Sequence, residues 1–169
     1  MPPPLAAAAA FGISYRVMTD ADLPFVSRLY ASTRAAEVAM TGWPQEMQAS
    51  FLDQQHRAQH AHYRSVYPDG EWLLIEREGM PIGRLYLAEE MGKRLLVDIA
   101  LLPEARGTGL GTAILTDLLA GETRPVQLYV ERFNPARRLY ERFSFVLVEE
   151  QPVYLRMIRE AQPGAGPQK

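Results

Sequence analysis

Three glycines, Gly107, Gly109 and Gly111, lie between an apolar segment, VDIALLPEA, and a second apolar run, LGTAILTDLLA. Glycine lets a backbone approach an oxyanion closely, and the first N–H groups of a helix have no partner within it. A strand, a glycine loop and a helix start therefore suit a phosphate group. A tight turn needing positive φ would account for one or two of the three glycines. Two phosphate-binding fingerprints can be tested letter by letter. The dinucleotide pattern G-x-G-x-x-G needs a glycine where Thr112 stands, and the nucleotide P-loop pattern needs one there too, followed by lysine. Both fail, so neither a dehydrogenase nor a kinase is supported.

The elements that must position such a loop can be read from periodicity. ISYRVM, residues 13–18, alternates as a half-buried strand. Asp20 is placed to cap a helix carrying Leu23, Val26, Leu29 and Tyr30 on one face, with Pro24 in its first turn, ending before Gly42. Pro44 opens a long helix with no breaker before Pro68; its face of Met47, Phe51, Gln55, Ala58 and His62 is weakly apolar and suits either a polar cleft or solvent. EWLLIERE and PIGRLYLAEE form a hairpin, and KRLLVDIALL, nearly continuous in apolar residues, is predicted to be a central strand buried on both faces. LGTAILTDLLA is a helix stopped by Gly121, PVQLYVER a strand, NPARRLYERF a short helix, and FVLVEE with PVYLRMIRE a closing strand pair.

Composition limits the rest. A chain of 169 residues with 47% hydrophobic and 22% charged residues is the size and make-up of one folded domain. A net charge of -2 gives no excess of cations for a nucleic-acid partner. With no cysteine, disulfides, thiolate metal sites and a cysteine nucleophile are excluded. No run reaches 18 uncharged apolar residues, so no membrane segment is expected and a cytoplasmic location fits. Residues 1–10 are expected to be a flexible N-terminal segment, frayed or packed, residues 11–160 the domain, and residues 161–169 a flexible tail. His56 and His60 stand four apart on the long helix, but Arg57 occupies the place of a metalloprotease glutamate, and no metal is expected.

Arg106-Gly107-Thr108-Gly109-Leu110-Gly111 fits the R/Q-x-x-G-x-G/A signature, and in Asn134-Pro135-Ala136-Arg137-Arg138-Leu139-Tyr140-Glu141-Arg142-Phe143-Ser144-Phe145 the part from Ala136 onward fits A-x-x-L-Y-E-[RK]-x-G-F except that Ser144 replaces a glycine, with Asn134 two positions before the alanine. On these two motifs the chain resembles the GNAT superfamily of N-acetyltransferases, in element order from about Ile13 to Ile158. The resemblance implies a single α/β (α+β) domain: a mixed, mostly antiparallel sheet of about six to seven strands, splayed at its centre and flanked by about four helices. It implies acetyl transfer from acetyl-CoA, a co-substrate, to a primary amine by direct attack in a ternary complex. A non-catalytic acyl-CoA-binding sensor or scaffold is the alternative, and a longer acyl group is a further one.

By the same resemblance, backbone N–H groups from Gly107 through Thr108, Gly109, Leu110 and Gly111 to Thr112 would hold the pyrophosphate, with Arg106 closing the entry. Ile99, Ala100 and Leu101 would pair with the pantetheine amides, and Asn134 would contact the same arm or simply start its helix. Tyr140 would protonate the leaving thiolate, or only position the sulfur. Asp98, the one charge in LLVDIALL, would act as base directly or through water, or else pair with an arginine or cap a loop. Tyr30, Arg34, Glu37 and Trp43 would form the acceptor wall beside Phe51, Gln55 and Tyr63. Glu37 would attract a cationic amine and Trp43 cover it, or both would only anchor their loop. The expected partner is a small-molecule or peptide amine, and a homodimer is compatible.

Overall fold

A computed structural model describes residues 1–162; the expected flexible tail lies, from residue 163 on, outside the described residues. One seven-stranded sheet is built from β1 (Ile13–Val17), β2 (Glu71–Arg77), β3 (Met80–Glu90), β4 (Lys93–Leu101), β5 (Val126–Glu131), β6 (Val146–Glu150) and β7 (Tyr154–Arg159), in the order β1-β2-β3-β4-β5-β7-β6. Every neighbouring pair is antiparallel except β4 with β5. Four α-helices accompany it: α1 (Leu23–Ala39), α2 (Gln45–Val66), α3 (Leu110–Ala120) and α4 (Ala136–Arg142). Among the described residues no helix is long and apolar enough to cross a membrane.

The sheet is apolar on both faces, and its period of two sorts the core. Leu73, Ile75, Leu85 and Leu87 pack with Ile114, Leu115 and Leu118 of α3. Their strand neighbours Trp72, Leu74 and Tyr86 pack with Phe25, Val26 and Leu29 of α1. Buried side chains of this size each contribute about 1.5–3 kcal/mol relative to exposure. As the apolar run of β4 required, that strand is the fourth of seven.

One local expectation is corrected. Asp20 does not cap α1: it opens a short 3-10 turn, Asp20–Asp22, and Asp22 takes the N-cap position, accepting from the Thr19 backbone N–H at 2.8 Å and from its hydroxyl at 3.1 Å. The N-terminal segment, expected to be frayed or packed, is in part fastened to α3. The buried carboxylate of Asp117 in α3 accepts from the N–H groups of Ala6, Ala7 and Ala8 at 3.1, 2.7 and 2.8 Å, and Ala8 is fully buried. Burial raises the proton affinity of Asp117, but the three N–H bonds outweigh it and leave the carboxyl below its usual range. A group so depressed stabilises the fold above its unfolded-state pKa and loses that contribution as the pH falls through its folded value. Asp117→Ala should therefore cost about 3 kcal/mol at neutral pH. Chemical denaturation of both proteins should show the gap closing on acidification below the ordinary aspartate range.

Candidate active site

The sheet opens where β4 and β5 part. They pair only at Arg94 with Val126, Leu95 with Gln127 and Leu96 with Leu128. From residue 97 to Leu101, β4 has no strand on that side, while β5 continues along β7 to Glu131. The cause is local. Tyr86 of β3 faces Asp98 and Leu87 faces Leu96, so Val97 is an extra residue, a bulge that bends β4 and increases its twist. Ile99, Ala100 and Leu101 thus present one backbone edge to an opening rather than to a strand.

That edge leads into the glycine loop. Gly107 and Gly109 have φ of 68° and 87°, values a side chain resists, and α3 begins at Leu110. Gly111 is ordinary helix, and a Cβ there would meet Leu139 at 3.9 Å, a normal contact. Two of the three glycines are thus conformational. Among the described residues, none of the N–H groups from Gly107 to Thr112 has an acceptor, and four of them begin or precede α3, where the helix dipole adds positive potential. Arg106 donates through Nε to the Leu101 carbonyl at 2.8 Å and through a terminal nitrogen to Ser32 of α1 at 3.1 Å, tying loop, open edge and helix together. Unpaired amides on a glycine turn fit a pyrophosphate, and an unpaired strand edge fits the amides of a pantetheine arm.

Tyr140 approaches from α4. The Asn134 side-chain oxygen accepts from the Ala136 N–H at 2.9 Å and starts the helix, and its NH2 has no partner among the described residues. At the other end the Phe145 N–H bonds the Tyr140 carbonyl at 3.1 Å and the Ser144 N–H bonds that of Glu141 at 3.0 Å, closing a Schellman motif. The residue at its turn is Ser144, with φ 66°, so the backbone keeps the conformation of the glycine it replaces. Ser144→Gly should raise stability by up to about 1 kcal/mol, read as a higher Tm. The Tyr140 ring, 7% exposed, packs edge-on against Phe145 with centroids 5.9 Å apart. Burial first, then the Asp98 charge, push its hydroxyl well above the usual phenol pKa, so it is protonated at neutral pH.

Asp98 is not isolated in an apolar strand. Its Oδ2 pairs with Arg84 of β3, a side chain only 3% exposed that also donates to Gln59 of α2 at 2.9 Å and lies 4.9 Å over the Tyr86 ring. Oδ1 has no partner among the described residues. The bulge decides this geometry: Val97 and Asp98 both face the side of α1 and α2, where strict alternation would have separated them. Arg84 was the residue that sequence reading missed. The signal was present, since it is the one charge in PIGRLYLA as Asp98 is in LLVDIALL.

On that side an open cleft of about 630 Å³ runs between α1, α2 and the sheet. Tyr30, Arg34 and Glu37 of the expected wall line it, with Phe51, Gln55 and Tyr63. Trp43 does not; it stacks edge-on against Phe51 at 5.4 Å and is partly exposed. Tyr67, just past the end of α2, also lines the cleft, as do Tyr129 and Tyr154 from segments that sequence reading did not connect to it. Arg34 is held by Glu131, at the end of β5, and by Glu37 at 3.0 Å. His56, buried beneath Tyr30, is pushed down to about 4 by burial and then by Arg84 and His60, and is uncharged at neutral pH.

Comparison with known proteins gives a consistent picture. Residues 68–147 match the acetyltransferase (GNAT) domain family. The PaiA N-acetyltransferase of Thermoplasma acidophilum, solved with coenzyme A, superposes with a TM-score of 0.61 at 17% identity over 88% of this chain and 98% of that one. An acetyltransferase of Thermus thermophilus gives 0.64 at 20% identity over 88% and 96%. The spermidine N-acetyltransferase of Vibrio cholerae, solved with CoA and spermine, gives 0.59 at 20% identity over 89% and 96%. No curated protein sequence matches the chain.

Proposed function

Because residues 68–147 match the acetyltransferase (GNAT) domain family, we propose that this chain is an N-acetyltransferase moving an acetyl group from acetyl-CoA to a primary amine by direct attack in a ternary complex. One observation carries the reading: the open β4 edge leads, through a 3-10 turn at Pro103–Ala105, into six backbone N–H groups without acceptors among the described residues. The amides of Gly107 to Thr112 would hold the pyrophosphate, with Arg106 at the entry. Ile99 to Leu101 would pair with the pantetheine arm, and Asn134 would add its NH2. Bound there, acetyl-CoA supplies an activated thioester.

The chain's own groups then divide the work. The amine enters from the cleft between α1, α2 and the sheet. Asp98 takes its proton through the unpaired Oδ1, directly or by way of a water, while Arg84 holds Oδ2 and fixes the carboxylate. A backbone N–H on the open edge of β4 donates to the oxygen on which negative charge develops. Tyr140, kept protonated by burial, delivers a proton to the departing sulfur. A protonated buried tyrosine at the opening favours an enzyme over a binding-only domain. Calorimetric titration with acetyl-CoA, followed by amine-dependent release of CoA, tests the reading. Binding and release are the expected results, and a well-folded protein that binds no acetyl-CoA would overturn it.

A further inference from the structure

The charges around the cleft are arranged against one chemical group, the carboxylate. Among the described residues, Arg34 is the one lysine or arginine that lines it. Its guanidinium is already engaged: one terminal nitrogen donates to Glu37 at 3.0 Å and to Glu131 at 3.1 Å, and the other pairs with Glu131 as well. One cation facing two carboxylates leaves this wall net negative. Beneath the floor, Arg84 is buried and held by Asp98 and Gln59. His56 is neutral, and burial lowers His60 too. Among the described residues that line the cleft, no lysine or arginine is left unpaired to receive an anionic substrate group. The remaining lining combines aromatic residues, among them Tyr30, Phe51, Tyr63 and Tyr154, with aliphatic side chains, three glutamines and His62, a surface that suits an apolar or cationic body.

We propose that the acceptor is a cationic amine with an apolar body and no carboxylate, and that Glu131 sets this preference by neutralising Arg34. The inference rests on the acetyltransferase reading and names its substrate class. Glu131 is a specificity determinant: it acts by occupying the guanidinium that would otherwise bind an amino-acid carboxylate bidentately.

Matched pairs that differ by one carboxylate test it: tyramine against tyrosine, and cadaverine against lysine. In each pair the decarboxylated member should have a kcat/KM at least about tenfold higher, the ratio expected when one charge is left uncompensated. Glu131→Gln removes one of the two carboxylate charges paired with Arg34, leaving Glu37, and should shrink that ratio by about tenfold. Should that variant not fold, as judged by circular dichroism, Arg34→Gln gives the opposite test and should widen the ratio. Equal rates within the pairs of the wild type, or ratios unmoved by both variants, would overturn the inference. Calorimetric binding of tyramine and tyrosine needs no transfer, so tighter tyrosine binding would overturn it on the cleft alone. Absence of acetyl-CoA binding in the same preparation would instead overturn the acetyltransferase reading.

Discussion

Tyr140→Phe is expected to slow amine-dependent CoA release by about 10²–10⁴-fold, the usual contribution of a positioned general acid, while leaving acetyl-CoA affinity nearly unchanged. The two halves of this expectation come from different atoms. The ring is buried against Phe145 within the core beside α3, and phenylalanine preserves that packing. The hydroxyl makes no hydrogen bond among the described residues, so its removal leaves no protein group unpaired and the fold should keep its Tm. What is lost is one proton, on a group that burial and the Asp98 charge keep protonated. Steady-state rates and calorimetry on the same two proteins separate the effects. An unchanged rate would remove Tyr140 from the chemistry and leave it a packing residue. A matched loss in affinity would make it a sulfur-positioning group.

Gly109→Asp should weaken acetyl-CoA binding by at least about 10²-fold, since a like charge a few ångströms from a pyrophosphate costs several kcal/mol near a protein surface. Three effects act together. At φ 87° a side chain is strained. The new carboxylate repels the phosphates. It also stands at the start of α3, where it can accept from the very N–H groups the ligand would use. The fold should survive, because a Cβ at Gly109 would meet Phe11 at an ordinary 3.7 Å. Gly109→Ala carries the strain without the charge and should fall between the two. If both variants bind acetyl-CoA like the wild type, the loop is a turn and nothing more. Gly111→Ala, in plain helical backbone, serves as the contrast.

Much of this architecture was legible in the chain because its signals are local. Alternation in ISYRVM, the run KRLLVDIALL and the proline and glycine punctuation located each strand and helix. The same local signals joined the glycines to α3 and Asn134 to the start of α4. The least legible parts were contacts between distant segments. Tyr129 reaches the cleft because β5 lies beside β4, and Tyr154 because β7 inserts between β5 and β6, an order that no periodicity encodes. The N-terminal run looked like a loose end because the residue that fastens it, Asp117, lies 109 to 111 positions away.

The sequence by itself therefore determined the order and type of the elements, the glycine turn before a helix, and the tyrosine helix that follows. These depend on φ preferences, capping and side-chain period within a few residues. Only the tertiary structure decided what the charges do. One extra residue in β4, Val97, turns Asp98 onto the face of Arg84 and parts β4 from β5, and the end of β5 brings Glu131 onto Arg34. The physical reason is register: whether a charge meets a partner, a ligand or solvent depends on which strand pairs where, and that is settled by packing across the whole sheet.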